Sequence, residues 1–165
     1  MFTDVMRVVE RFGAERVIVE NSPYRNENGK TLRAGIEPAI ITRIVEEAGV
    51  GLLLDLSHAI ITARYLGMDA EDYVSQLPMS KLKEMHFAGI HRIKGQWTDH
   101  LSILTRDWRW MDWALERIHS GDWSNPWLLA FEYGGLGESF EWRTDPNVIA
   151  DQVPRLYERI HLIGD

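Results

Sequence analysis

The sequence predicts an α/β fold built on a parallel sheet of about four strand–helix units. Four short apolar runs carry this reading: "RVIVEN" (16–21), "GLLLDL" (51–56), "KEMHFAG" (83–89) and "PWLLAFEYGG" (126–135). A segment with helical spacing follows each run, and one precedes the first. Continuously apolar strands alternating with helices are the pattern of a parallel sheet covered on its outer face. Length is the third observation: 165 residues, 45% of them hydrophobic, suit one domain with a real core.

Taken in order, residues 2–12 place Val5, Val8, Val9 and Phe12 at spacings that share one helix face. The β-branched run 16–21 is the first strand. Residues 22–35, "SPYRNENGKTLRAG", read as a polar loop punctuated by Pro23 and Gly29. Residues 36–49 have helical spacing and end on Gly49, a residue suited to stopping a helix. The second strand, 51–56, leads into a helix closed by Gly67. Asp69 then caps the start of another helix, with acidic residues in its first turn. The third strand, 83–89, is followed by a loop through about Asp99. Residues 105–121 form a helix whose Trp110, Trp113, Ala114, Leu115 and Ile118 share an apolar face. After the fourth strand and a Gly-rich loop comes a last helix over 145–164, with Pro146 favoured in its first turn and Pro154 positioned to kink it. No low-complexity segment or linker interrupts the chain, so residues 1–165 read as a single domain.

Composition narrows the function. There is no cysteine, which excludes disulfides, thiolate zinc sites, iron–sulfur clusters and a cysteine nucleophile. The formal charge of −7 does not favour nucleic acid or an anionic membrane surface as a partner. The first residues lack the pattern of a signal peptide, and no apolar stretch reaches the length of a membrane span, so a cytoplasmic protein is expected.

The chemistry-bearing residues gather at the strand ends. The first strand ends at Glu20, and the second at Asp55 with His58 just beyond. The third carries His86, and the fourth reaches Glu132. Ligands of parallel α/β folds bind at the carboxyl ends of the strands. The loop after the third strand adds His91, Asp99 and His100. Oxygen and imidazole donors without thiolate suit iron, manganese or zinc, and this many donors would hold two or three ions. Each residue alone has a plainer reading. Asp55 is placed to cap the next helix, and a lone His on a strand is usually a hydrogen-bonded core residue. His119 and His161, near helix ends, suit the macrodipole there. "GGLG" (134–137) lacks the spacing of a nucleotide loop, and Ser57 lacks a nucleophile-elbow context. Recurrence at the same end of four strands is what favours a metal rim.

The stretches "VIVENSPY" (17–24), "GLLLDLSHAIITARYLGMDAEDYVSQLP" (51–78), "EMHFAGIH" (84–91), "TDH" (98–100) and "FEYGG" (131–135) resemble the xylose isomerase-like TIM-barrel superfamily. Within it, the resemblance is nearest to the multinuclear non-haem iron-dependent oxidative enzymes, which include the methanobactin-biosynthesis oxidase. It implies a (β/α)-barrel of the TIM type, of which this chain matches the C-terminal half. It also implies metal ligands at Glu20, Asp55, His58, His86, Asp99, His100 and Glu132, with Glu20, Glu132 and His91 as candidate catalytic groups. His58 follows the endonuclease and isomerase pattern, where the oxidative members more often carry asparagine. Asp99 and His100 are adjacent where the superfamily tends to separate an Asp and a His by one residue, so Thr98 replaces the aspartate or the loop is shifted.

A full barrel has eight such units and about 250 residues. The expectation is therefore a half barrel completed by a missing N-terminal half or by a second copy in a homodimer. The expected function is a di- or trinuclear enzyme acting on a peptide or small molecule, with divalent metal as cofactor: iron first, manganese or zinc as the alternatives. The competing readings are a divalent-metal sugar isomerase or epimerase, a nuclease acting at damaged sites, which the acidic balance opposes, and a non-catalytic truncated barrel serving as an interaction module.

Overall fold

A computed structural model describes residues 1–24 and 32–162. The elements are α1 (Phe2–Phe12), β1 (Ile18–Glu20), α2 (Arg33–Ile36), α3 (Pro38–Ala48), β2 (Gly51–Asp55), α4 (Leu56–Leu66), α5 (Ala70–Ser75), β3 (Leu82–Phe87), β4 (Gly89–Ile93), β5 (Gln96–Leu101), α6 (Trp108–His119), β6 (Leu128–Phe131) and α7 (Pro146–Leu162). Four strands form one parallel sheet in the order β1-β2-β3-β6. The mixed α/β architecture and its parallel four-stranded sheet are compatible with part of an α/β barrel.

Local chemistry accounts for the elements. Pro38 opens α3, where a missing N–H costs nothing, and Gly49 closes it in the left-handed conformation at φ 67°. Ile41, Ile44, Val45 and Ala48 form its buried stripe. Gly67 closes α4 in the same way at φ 68°. Asp69 caps α5 by accepting hydrogen bonds from the Glu71 and Asp72 backbone N–H groups. Every residue of α4 from Leu56 to Ala63 is buried, so its first two turns lie inside the molecule. Ser57, which the sequence left without a role, ties that first turn to the end of β3. Its hydroxyl donates to the Ala88 carbonyl and accepts from the Ala88 N–H, each at 2.9 Å.

The sheet has two chemically different faces. Leu52 and Leu54 of β2 and Met85 and Phe87 of β3 enter the main core under the helices. Their alternate neighbours point the other way. Register pairs Glu20 with Leu53, Leu53 with Glu84 and Glu84 with Leu128, and one step on pairs Asp55 with His86 and His86 with Ala130. The non-helical face thus carries successive rows of side chains, and its rows become acidic and imidazole-bearing toward the C-terminal ends of the strands.

The structure corrects the sequence reading in several places. The strands are shorter than expected, and a short 3-10 turn (Ala14–Arg16) replaces the start of the first. Thr105–Asp107 is likewise a 3-10 turn before α6, and Glu138–Arg143 another after the Gly-rich loop. Part of the expected loop 22–35, including Gly29, lies outside the described residues; Arg33–Ile36 is a helical turn. Pro154 sits inside α7 without ending it. The largest difference is the supposed loop after the third strand, which is an antiparallel hairpin, β4–β5. Lys94 and Gly95, both at positive φ, make its two-residue turn. Gly89 is obligatory at its base, because a Cβ there would lie 1.8 Å from the Ser102 carbonyl oxygen.

Candidate metal centre

The candidate ligands cluster at or near the C-terminal ends of the parallel strands, apart from the two carried by the hairpin. Glu20 is the last residue of β1 and Asp55 the last of β2. His58 lies in the first turn of α4, and Glu132 directly follows β6. His86 is the penultimate residue of β3. The hairpin carries Asp99 and His100 back over the rim on β5, and His100 reaches its position with φ at 60°, a conformation few non-glycine residues adopt. The Gly134 N–H donates to the His100 carbonyl, joining the hairpin to the loop after β6.

These seven residues form three groups of potential ligands: Glu20, Asp55 and His58; His58, Asp99 and His100; and Asp55, His86 and Glu132. Within each group the donor atoms lie within 4.8 Å of one another. His58 belongs to two groups and Asp55 to two, so the three are contiguous. His58 is the hub. Its Nε2 is 3.0 Å from Asp99 Oδ2 and 3.4 Å from Asp55 Oδ2. Its Nδ1 faces the Asn21 carbonyl at 3.0 Å and Glu20 Oε1 at 3.2 Å. At the far end, His86 Nδ1 is 3.2 Å from Glu132 Oε2, and His100 Nδ1 is 4.0 Å from Glu132 Oε1. Asp55 caps α4, its Oδ1 accepting the His58 N–H at 2.8 Å, while its Oδ2 lies 3.4 Å from His58 Nε2 among the candidate donors.

His91 stands apart from the three groups. Its Nε2 bonds the Ser102 carbonyl at 2.8 Å, across the base of the hairpin. Two further residues support the cluster, and sequence reasoning gave them no role. Asn21, wholly buried, bonds the Asp55 backbone twice: its side-chain NH₂ donates to the Asp55 carbonyl and its side-chain oxygen accepts the Asp55 N–H, each at 2.9 Å. Glu84 approaches His86 Nε2 at 2.7 Å. A polar residue following the candidate ligand Glu20, and an acid at i−2 from a strand histidine, were the available signals.

The electrostatics fit a cation. Burial pushes the Asp55 carboxyl up to about 7. Burial also works against a charged His58, yet its bonds to Asp99 and Glu20 and the charge of Asp55 outweigh it, and the ring rises to about 10. The His58 hydrogen bond in turn holds Glu20 below the usual carboxylate range. His86 is raised against burial by Glu84 and Glu132. A cluster that draws a proton onto a buried imidazole is one whose carboxylates favour positive charge. The donors are nitrogen and oxygen throughout, a set suited to iron, manganese or zinc.

A parallel α/β sheet whose strand ends converge on a nitrogen–oxygen donor cluster presents a candidate metal centre. Residues 1–121 match the family described as RiPP precursor modification enzyme MbnB/TglH/ChrH, and the chain belongs to that family. A UPF0276 protein of Acaryochloris marina is 27% identical over 143 residues, covering 86% of this chain and 46% of that protein. UPF0276 proteins of Rhizobium meliloti and Paraburkholderia phytofirmans are 42% and 40% identical over 53 residues, about a third of this chain and 17% of each of theirs. The chain thus spans about half the length of the Acaryochloris relative, or less of the others. Among the described residues, no helix is long and apolar enough to cross a membrane.

Proposed function

We propose that this chain carries the metal-binding half of an enzyme that oxidatively modifies a ribosomally made peptide, with iron as its metal. The observation that carries the reading is the contiguity of the three donor groups through His58 and Asp55. Family membership supplies the peptide as substrate class. Glu20, Asp55, His58, His86, Asp99, His100 and Glu132 would hold the metal, and iron held there supplies Lewis-acid and redox chemistry. The chain's own part is to fix the donors. Asn21 holds the end of β2 against the end of β1, Asp55 anchors the first turn of α4, and the hairpin brings Asp99 and His100 onto the rim. Glu132, two-fifths exposed, and Glu20, somewhat more so, are the more open carboxylates of the cluster and would accept a proton from substrate in this reading.

The open sheet edges support a completing partner. Among the described residues, neither β1 nor β6 pairs on its outer side, and Trp127 and Leu128 beside the β6 edge are exposed. An unpaired parallel edge of this kind calls for another strand. A second half barrel, from further sequence or a second copy, would supply it.

Elemental analysis of protein purified without added metal tests the reading, with the Glu20→Ala/His86→Ala double variant alongside. Iron in the parent chain and a marked loss in the variant is the expected result. Manganese or zinc in place of iron would turn the reading toward the isomerase alternative. Equal metal in parent and variant would refute the ligand set.

A further inference from the structure

We propose that Glu84 is the positioning residue of His86: it accepts the ring Nε2–H and so presents Nδ1, with its lone pair, to the group formed with Asp55 and Glu132. The inference rests on the metal-binding reading above and adds to it a residue outside the three donor groups.

Strand geometry makes the arrangement. Glu84 and His86 are two residues apart on β3 and therefore on the same face. Glu84 lies in the row of Glu20 and Leu53, and His86 in the next row, with Asp55. Glu84 thus sits one step further from the rim than the donors it would support. Its Oε1 is 2.7 Å from His86 Nε2, the short end of a charge-assisted N–H···O bond. Both side chains are less than a fifth exposed, so water competes weakly for the bond. The other ring nitrogen, Nδ1, is 3.2 Å from Glu132 Oε2. The ring is therefore held from behind by one carboxylate and faces another across the candidate site.

An imidazole can ligate through either nitrogen, and the hydrogen bond made by the other decides which. A carboxylate in that second position also makes the ligating nitrogen more basic. Without Glu84, the ring would be free to turn, and the donor aimed at Glu132 and Asp55 would no longer be fixed.

The test uses the 165-residue chain, with Co(II) alone as a visible-absorbing probe, in the parent, Glu84→Gln and Glu84→Ala. Glu84→Ala should weaken Co(II) binding by about ten- to a hundredfold and change its absorption bands. Glu84→Gln keeps an acceptor without the charge and should recover part of that loss, which a merely space-filling role would not give. In the metal-free chain, nitrogen-15 NMR should show a solvent-protected His86 Nε2–H that Glu84→Ala removes. Parent affinity and spectrum in Glu84→Ala would overturn the proposal while leaving the metal site standing. Failure of the parent itself to bind Co(II) would sink the metal reading; the His86 signal would then decide whether the hydrogen bond exists, and its absence from the parent would overturn the proposal too.

Discussion

Replacing Asn21 with alanine should cost this chain a large part of its stability, although Asn21 is no ligand. Asn21 is completely buried and its side chain makes two bonds of 2.9 Å, to the Asp55 N–H and the Asp55 carbonyl. Alanine removes both partners at once from backbone groups that water cannot readily reach. Each buried group left unsatisfied costs about 1–3 kcal/mol, so the pair costs about 2–6 kcal/mol, and we expect about 3. That is a large fraction of the roughly 5–15 kcal/mol that holds a typical domain folded. Urea unfolding followed by tryptophan fluorescence would measure it. With an m-value of about 2 kcal/mol/M, the midpoint should fall by about 1.5 M. Asn147→Ala is the control: Asn147 is exposed, its side chain bonds the nearby Asp145, and its loss should stay within about 0.5 kcal/mol. If Asn21→Ala lies within 1 kcal/mol or so of that control, the double bond to Asp55 does not lock β1 to β2.

Metal binding should release protons. The buried ring of His58, raised to about 10, carries a proton at pH 7.5 and must lose it to ligate, so affinity rises with pH up to about 10 and rises more steeply below about 7, where Asp55 is protonated as well; titration calorimetry in buffers of different ionisation enthalpy should count at least one proton released, and none would contradict this. His58→Ala removes a donor from two groups and His100→Ala from one, so metal content should fall further in the first, while His91→Ala, whose ring is engaged with Ser102, should leave it unchanged. Gly89→Ala forces the base of the hairpin away from Ser102 and should cost about 2 kcal/mol or more, along with any metal bound through the candidate ligands Asp99 and His100; an unchanged melting temperature and metal content would show that the close approach does not exist.

The parallel sheet and the convergence of candidate donors at its C-terminal rim were legible in the sequence; the hairpin that brings two of those donors there was not. Glu20, Asp55, His86 and Glu132 could be placed because parallel strands run in one direction, and a donor at the end of each must reach one rim. Asp99 and His100 were legible only as types. The hairpin that delivers them stands where the sequence suggests a loop, although "GIHRI" and "QWTDHL" flank a Lys-Gly pair suited to a two-residue turn. His91 is near Asp99 and His100 along the hairpin, but it pairs in register with Thr98 and its ring bonds the Ser102 carbonyl instead of joining the donor groups. Asn21 and Glu84 went unremarked because their importance lies in what they touch: the partner of Asn21 is 34 residues away, and the short bond from Glu84 to His86 follows from strand pleating that the sequence states only indirectly.

Sharing of donors gives the cluster a property that separate sites would lack. His58 and Asp55 each serve two groups, so an ion in the central group of Glu20, Asp55 and His58 would fix the orientation of residues that the outer groups also need. The ordering favours further loading, because Asp55 and His58 would already be deprotonated and held. Charge opposes it, because like ions a few ångströms apart repel strongly where water is scarce. The carboxylates decide the balance: Glu20, Asp55, Asp99 and Glu132 face only three imidazoles, so positive charge beyond a single divalent ion is still compensated by the protein. The same excess explains why a proton is drawn onto buried His58. One arrangement of acids at the ends of parallel strands thus accounts for the raised titration of the ring and would compensate more than one cation if the proposed site is loaded.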